Sequence, residues 1–255
     1  MKILLKVKYD GAGFCGYQVQ PGKRTVQGAL NDASLLVFGK KCNITGCSRT
    51  DSGVHALSFY ATVKPCDESD ILVPAKNIPR ALNAALPNDI SVLGAYEVDD
   101  DFHPRYDVIK KEYTYLILNT DIKDPFLNCR ALHYQKYIDD DHIRLMNDAA
   151  NFLCGKHDYR CFMAEGSSVV DTVREIYYAR FERTGDLLTF KICGNGFLYN
   201  MVRIIVGTLL DVANDKINPD HIKHIIDSKD RTMAGQTVSA CGLYLSRVDY
   251  PKTFD

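Results

Sequence analysis

Apolar and polar residues alternate from the second residue of the chain. Ile3, Leu5, Val7 and Tyr9 fall on one side, and Lys2, Leu4, Lys6 and Lys8 on the other. A period of two predicts a strand over 2–9 with one face buried. The period then changes. Thr25 stands in an N-cap position, Val26, Leu30, Ala33 and Val37 follow at helical spacing, and Gly39 ends the pattern, which predicts a helix between them. Strands are predicted at 55–63 and 90–98, on either side of a short helix over 78–86 closed by Pro87. "DDDFHPRYD", 99–107, is acidic and then contains a proline, and reads as a connection between two halves. The second half opens with a strand at 112–118. A helix follows over 140–154, with Ile143, Met146, Ala150 and Leu153 on one face, and then strands at 174–183 and 186–193 joined near Gly185. Residues 197–213 are apolar almost all round, the pattern of a buried helix. Asn218-Pro219 opens a short helix, and "CGLYLSRV" supplies a last strand.

Each half mixes strands and helices in roughly similar order, without a strict repeat. Hairpin-like strand pairs beside crossover helices predict an α+β fold with a mostly antiparallel sheet, not a doubly wound parallel one. The expected division is 1–103 and 104–255. Composition adds little against this picture. The 255 residues are 46% hydrophobic and 25% charged, as in an ordinary soluble globular protein. With 31 Lys and Arg against 32 Asp and Glu, the formal charge of −1 points to no nucleic acid globally, so a basic surface would have to be local. Nine cysteines, none spaced as CxxC, argue against a disulfide framework or structural zinc and for reduced thiols in the cytoplasm. Lys2, Lys6 and Lys8 interrupt any signal-peptide apolar core. The longest apolar run, "MVRIIVGTLLDV", contains Arg203 and is too short to span a bilayer, so no membrane partner is expected.

Three motifs offer chemistry that their surroundings do not support. Gly11, Gly13 and Gly16 form GxGxxG after a strand, with Asp32 about 20 residues on, as in dinucleotide-binding loops. The helix, however, begins only near residue 26, so a phosphate would not meet its N-terminus. The glycines instead suit a flexible loop, or one that lets a ligand's backbone come close. Ser52 lies near His55, but T-D-S-G-V-H matches no nucleophile motif, and Ser52 reads as a turn residue. His221 and His224 are spaced i,i+3 with no completing ligand nearby, so no metal is expected.

Two features are harder to dismiss. Arg203 sits in an otherwise apolar helix. Buried and unpaired, it would cost several kcal/mol, roughly, so it either snorkels to the surface or meets a carboxylate from another segment. Asp51, in the polar turn of "GCSRTDSGVHA", is the natural candidate. Tyr113 and Tyr115 alternate on a strand after Lys110 and Lys111. They are either core aromatics or a face on which a nucleobase stacks while the lysines hold phosphates.

These segments together resemble one family. "RTDSGVHA" is similar to the RTDAGVHA signature of the TruA-type tRNA pseudouridine synthases. "YDGAGFCGYQVQ", "ALNAALPNDISV", "DFHPRYDVIKKEYTYLI", "GNGFLYNMVRIIVGTLL" and "GLYLSRVDYP" resemble the other blocks of that family, in the family's order, from residue 9 to residue 251. The resemblance implies two α/β subdomains that share a mainly antiparallel sheet, with the active site in a central cleft. The first subdomain would carry the catalytic loop. It implies that Asp51 is the catalytic aspartate and that Arg49 contacts the RNA or helps expel the target base. Tyr113 would stack on the uracil, Arg203 would pair with Asp51, and Leu243 would line the pocket. Lys110, Lys111 and Arg105 would lie along the RNA backbone. The implied reaction is uridine to pseudouridine at positions 38, 39 and 40 of the tRNA anticodon stem-loop, by a homodimer without a cofactor. Ser52 and Pro104 depart from the family pattern where it usually has alanine, and "SACGLYL" lacks the usual proline before the last strand.

Such an isomerisation involves neither redox change nor hydrolysis, which agrees with the weak nucleotide and metal motifs. The sequence leaves open whether the carboxylate attacks C1′, attacks C6 of the ring, or acts as a base at C2′. In each case the target base must leave its stack. An RNA-binding module without catalysis and a carboxylate hydrolase are the rival readings. The synthase reading requires a basic strip drawn from Lys23, Arg24, Arg49, Arg80, Arg105, Lys110 and Lys111, and the hydrolase does not.

Overall fold

The computed structural model describes residues 2–167 and 169–254. Its strands are β1 (Lys2–Tyr9), β2 (Cys42–Gly46), β3 (His55–Pro65), β4 (Ile90–Val98), β5 (Lys110–Leu118), β6 (Leu132–His133), β7 (Gly155–Asp158), β8 (Val173–Thr184), β9 (Leu187–Gly194) and β10 (Leu243–Asp249). Its α-helices are α1 (Val26–Phe38), α2 (Ile78–Ala85), α3 (Asp140–Asn151), α4 (Met201–Ala213) and α5 (His221–Ser228). The fold is α+β, as the pattern predicts.

The chain forms two units, Met1–Ile109 with Tyr244–Asp255, and Lys110–Leu243. The boundary expected at 103/104 left the last strand in the second half. From Tyr244 onward it groups with the first unit, because it runs parallel to β3 with Tyr244 beside His55 and Leu245 beside Ala56.

In the first unit β1 is central, antiparallel to β4 on one side and β3 on the other. The far edge of β3 pairs with β2 near its end and with β10 at its start. The apolar face of β1 is buried as the alternation requires, and Leu4 on the lysine face is buried too. That face also carries Tyr96 opposite Leu4 and Tyr60 opposite Lys6. Both rings pack on Phe254 of the C-terminal segment, which the alternation in 2–9 cannot reveal. Helix α1 is capped as its sequence predicts. Thr25 Oγ1 accepts the Gly28 N–H at 3.2 Å, and Gly39 closes the helix at a left-handed φ of 67°.

In the second unit β5, β9, β8 and β7 form a consecutive antiparallel run, and β6 pairs parallel to β5. Helices α3, α4 and α5 supply the apolar cover, with Ile204, Ile205, Val206 and Leu209 of α4 fully buried. Helix α4 begins four residues later than predicted, because Asn200 adopts φ 59°, a left-handed conformation that no helix interior holds. Strands β2, β6 and β7 were not anticipated, since "CNITG", "LH" and "GKHD" are short and carry no apolar alternation.

Candidate active site

The first unit holds Asp51 in a tight turn between β2 and β3. The Val54 N–H donates to the Asp51 carbonyl at 3.1 Å, and Gly53 takes φ 80° at the position that a type II turn reserves for glycine. The flanks of the carboxylate are fixed from both sides. The buried Tyr9 hydroxyl bonds Thr50 Oγ1 at 2.8 Å, and the Thr50 carbonyl accepts the Tyr17 N–H at 3.0 Å. The Phe14 carbonyl accepts the Gly53 N–H at 3.3 Å and the Ser52 hydroxyl at 3.2 Å. Ser52 is therefore the turn residue that the sequence suggested, its proton directed at a backbone oxygen. Asp51 itself is half-buried, whereas Arg49 is exposed, with no hydrogen-bond or ion-pair partner among the described residues.

The glycine loop owes its composition to this turn. A Cβ on Gly11 would lie 1.9 Å from the Val54 carbonyl oxygen, and one on Gly16 would lie 2.7 Å from the Thr50 carbonyl oxygen. Gly16 also takes φ 86°. The backbone admitted by the loop is thus not a ligand's, which the sequence suggested, but the chain's own, the strand-to-turn segment around Asp51. His55 locks the same contact. Its buried Nδ1 lies 3.0 Å from the Gly11 N–H, and its ring stacks on Tyr244 at 4.5 Å. Asp10 Oδ1 is 3.1 Å from the same nitrogen. The Gly11 N–H requires a lone pair on Nδ1, so in that bond the neutral ring carries its proton on Nε2.

Tyr17 packs on Phe59 at 4.5 Å behind the turn, and its buried hydroxyl has no hydrogen-bond partner among the described residues. Burial holds that hydroxyl far above the usual phenol range. An unsatisfied buried hydroxyl destabilises, so Tyr17→Phe is expected to raise stability by about 1 kcal/mol with activity unchanged. A denaturant melt checks this, and a loss of stability would show that the hydroxyl has a partner in solution.

The other basic residues expected along the RNA differ in availability. Lys23, Arg49, Arg80 and Arg105 are exposed in the first unit. Arg24 is engaged: Asp89 holds both its terminal nitrogens, at 2.7 and 2.8 Å, and it lies 4.0 Å over the Phe14 ring. That carboxylate raises its already high pKa.

The second unit carries the remaining candidates. Tyr113 on β5 is buried to 7% exposure and meets Phe197 edge-on at 5.1 Å. Tyr115, two residues on, is fully buried, and its hydroxyl donates to the Ser239 carbonyl at 2.6 Å, so both tyrosines lie in the core. Lys110 and Lys111 are half-buried at the start of the same strand, and Leu243 is buried at the end of the unit. Arg203 is half-buried on α4. Its Nε donates to the Val238 carbonyl at 2.7 Å and its Nη1 to Asn200 Oδ1 at 2.6 Å. Nη2 has no hydrogen-bond partner among the described residues. The Val238 carbonyl comes within reach because its segment crosses α4 closely at Gly207, where a Cβ would lie 1.9 Å from the Gln236 carbonyl oxygen. His221 and His224 lie 5.9 Å apart, and no group of three or more His, Cys, Asp or Glu among the described residues is placed to hold a metal ion. No helix among the described residues is long and apolar enough to cross a membrane.

Comparison with known proteins agrees with the geometry. A model of the tRNA pseudouridine synthase family matches residues 6–107 and 149–251, which include Arg49, Asp51, Arg203 and Leu243. A tRNA pseudouridine synthase A of Thermoanaerobacter sp. is 42% identical over 250 residues, covering 97% of this chain and 99% of its own. The protein of that name from Bacillus subtilis is 43% identical over 252 residues, covering 98% and 99%. A solved Cbf5-Nop10-Gar1 complex aligns over 95% of this chain and 57% of the matched one at 13% identity, with a TM-score of 0.36, too low to bear on the fold. On the family match and these near full-length relatives, the chain belongs to the tRNA pseudouridine synthase family and is an isomerase.

Proposed function

We propose that this enzyme converts uridine to pseudouridine at positions 38, 39 and 40 of the tRNA anticodon stem-loop, with Asp51 as the catalytic carboxylate. The observation that carries this reading is the turn itself: a half-buried aspartate whose neighbours on both sides are fixed by Tyr9, Phe14 and Tyr17. Such fixing holds a carboxylate ready without reorganisation at the moment of reaction. The isomerisation breaks N1–C1′ and makes C5–C1′. C5 gives up a proton and N1 gains one, so the atoms balance within the nucleoside and no cofactor is needed. Asp51 acts as nucleophile at C1′ or C6, or as base at C2′.

Tyr113 holds the detached uracil by stacking, and Leu243 walls the pocket. Lys110, Lys111 and Arg105 meet the RNA backbone. Arg203 is the counter-charge of Asp51, a role supported by its uncommitted Nη2. A positive charge beside a carboxylate lowers its pKa. Arg203→Met is therefore expected to move the acid limb of the pH–rate profile to higher pH, and an unmoved limb contradicts the pairing. Arg49, exposed beside the carboxylate and without a partner of its own, takes the place of the flipped base or holds its backbone. Arg49→Ala is then expected to lower kcat by about 100-fold while Kd for tRNA rises no more than about tenfold. Equal losses in a single-turnover assay and a filter-binding assay count against this role.

The enzyme acts in the cytoplasm as a homodimer. Ile122 and Phe126, more than four-fifths exposed, offer apolar surface of the kind a second copy covers. Sedimentation at micromolar concentration measures the dimer. The positions are tested with stem-loops that keep a single uridine at 38, 39 or 40. Carbodiimide mapping should find pseudouridine in each, and product only outside the three overturns the assignment.

A further inference from the structure

The segment from His103 to Asp107 carries an aromatic that the proposed reaction does not use. Tyr106 is 74% exposed, yet its ring is held, stacked on His103 with centroids 4.2 Å apart and planes 29° apart. His103 Nδ1 accepts the N–H groups of Arg105 at 3.1 Å and Tyr106 at 3.3 Å, which puts the imidazole proton of the neutral ring on Nε2. The His103 N–H donates to Asp107 Oδ2 at 2.8 Å, and the Asp107 N–H returns to the His103 carbonyl at 3.1 Å. Pro104 is buried, and its carbonyl accepts the Tyr250 hydroxyl at 2.6 Å. The loop is thus fixed to the first unit before any ligand arrives, and the ordering cost of binding is correspondingly small.

Arg105 is exposed beside the ring, its Cζ 5.9 Å from the centroid, with no ion pair among the described residues. The acidic run before the loop is partly offset, since Asp100 is paired with Lys64 at 3.3 Å. A rigid, solvent-facing aromatic backed by a second ring and flanked by an unpaired guanidinium fits a ligand with a π-face and an adjacent negative charge. Unpaired nucleotides have both, whereas the faces of bases within a helix are covered by their neighbours.

We infer that Tyr106, backed by His103, is a stacking platform for an unpaired base of the RNA substrate, with Arg105 on the neighbouring phosphate. This rests on the RNA substrate proposed above. The chain contains no tryptophan, so Tyr106→Trp introduces a single fluorescent reporter at the platform. Titration of that variant with unmodified tRNA should quench its emission to saturation. Tyr106→Ala should weaken tRNA binding by about tenfold with the salt dependence of Kd unchanged, and Tyr106→Phe should bind as wild type. Arg105→Ala should instead reduce the salt slope by about one unit.

Unquenched emission, or wild-type affinity in Tyr106→Ala, overturns the inference. An emission change that follows protein concentration without RNA also overturns it, because the ring then meets a second copy of the chain. Wild-type tritium release from 5-tritiated uridine in tRNA, run in parallel, keeps the two readings apart. Release with no platform effect leaves the synthase standing and removes only the platform.

Discussion

Asp51→Asn is expected to abolish pseudouridine formation while the enzyme still folds and binds tRNA. The substitution keeps the shape of the side chain and removes its charge and basicity. The bond that closes the turn runs from the Val54 N–H to the Asp51 backbone carbonyl, which the substitution keeps. The turn's other ties run through Thr50, Ser52 and Gly53, which the substitution leaves in place. An amide is neither a nucleophile toward a sugar carbon or a pyrimidine ring nor a base at C2′, so all three mechanistic readings predict the same loss. Removing the reacting carboxylate costs at least about 10⁴-fold in rate. Single-turnover kinetics give the rate, and filter binding gives the affinity, which should stay within about threefold of wild type. A variant that has lost binding in parallel would assign Asp51 a structural role instead.

Gly11→Ala is the second large effect, and it arises from packing. The new Cβ would fall 1.9 Å from the Val54 carbonyl oxygen and 2.5 Å from its carbon, both backbone atoms. No side-chain rotation relieves such a contact, so one of the two loops must move. Overpacking of this kind costs about 1–3 kcal/mol, and more where backbone shifts. The catalytic consequence is larger, because Val54 closes the turn that holds Asp51, and a displacement of about 1 Å costs roughly 100-fold in rate. A lowered melting temperature together with a kcat loss of that order is expected. Gly196→Ala, whose Cβ would meet nothing nearer than 3.4 Å on the flexible Arg174 side chain, serves as the tolerated control. Full activity in Gly11→Ala would show that the glycine loop does not position the turn.

The same glycines show how far the sequence reaches. That a backbone comes close to this loop was legible, although the sequence assigned it to a ligand; it is the chain's own at Gly11 and Gly16, whereas a Cβ on Gly13 would meet only side-chain atoms. Which backbone was not legible, since the approach of residues 50–54 is a tertiary contact with no local signature. Tyr9 reads as a core residue from its place on the apolar face of β1, and nothing in that pattern announces that its hydroxyl supports Thr50. Arg203 is the reverse case. Its apolar surroundings suggested either snorkelling to the surface or a carboxylate partner; the guanidinium is half-buried, and its Nε and Nη1 bond two neutral oxygens. One of them is a main-chain carbonyl 35 residues away, which charge arithmetic along the sequence does not count. Likewise β2, β6 and β7 are strands because a longer neighbour supplies their ladder, and their own residues would not have formed one.

The measurement that bears most directly on the central claim is tritium release from tRNA that carries 5-tritiated uridine, with wild type and Asp51→Asn side by side. C5 loses its hydrogen only when the new bond to C1′ forms, so the label reports the chemical step and not binding. Release by wild type in proportion to the pseudouridine made, and none by the variant, is the predicted result. No release by wild type from unmodified tRNA, or undiminished release by the variant, would contradict it.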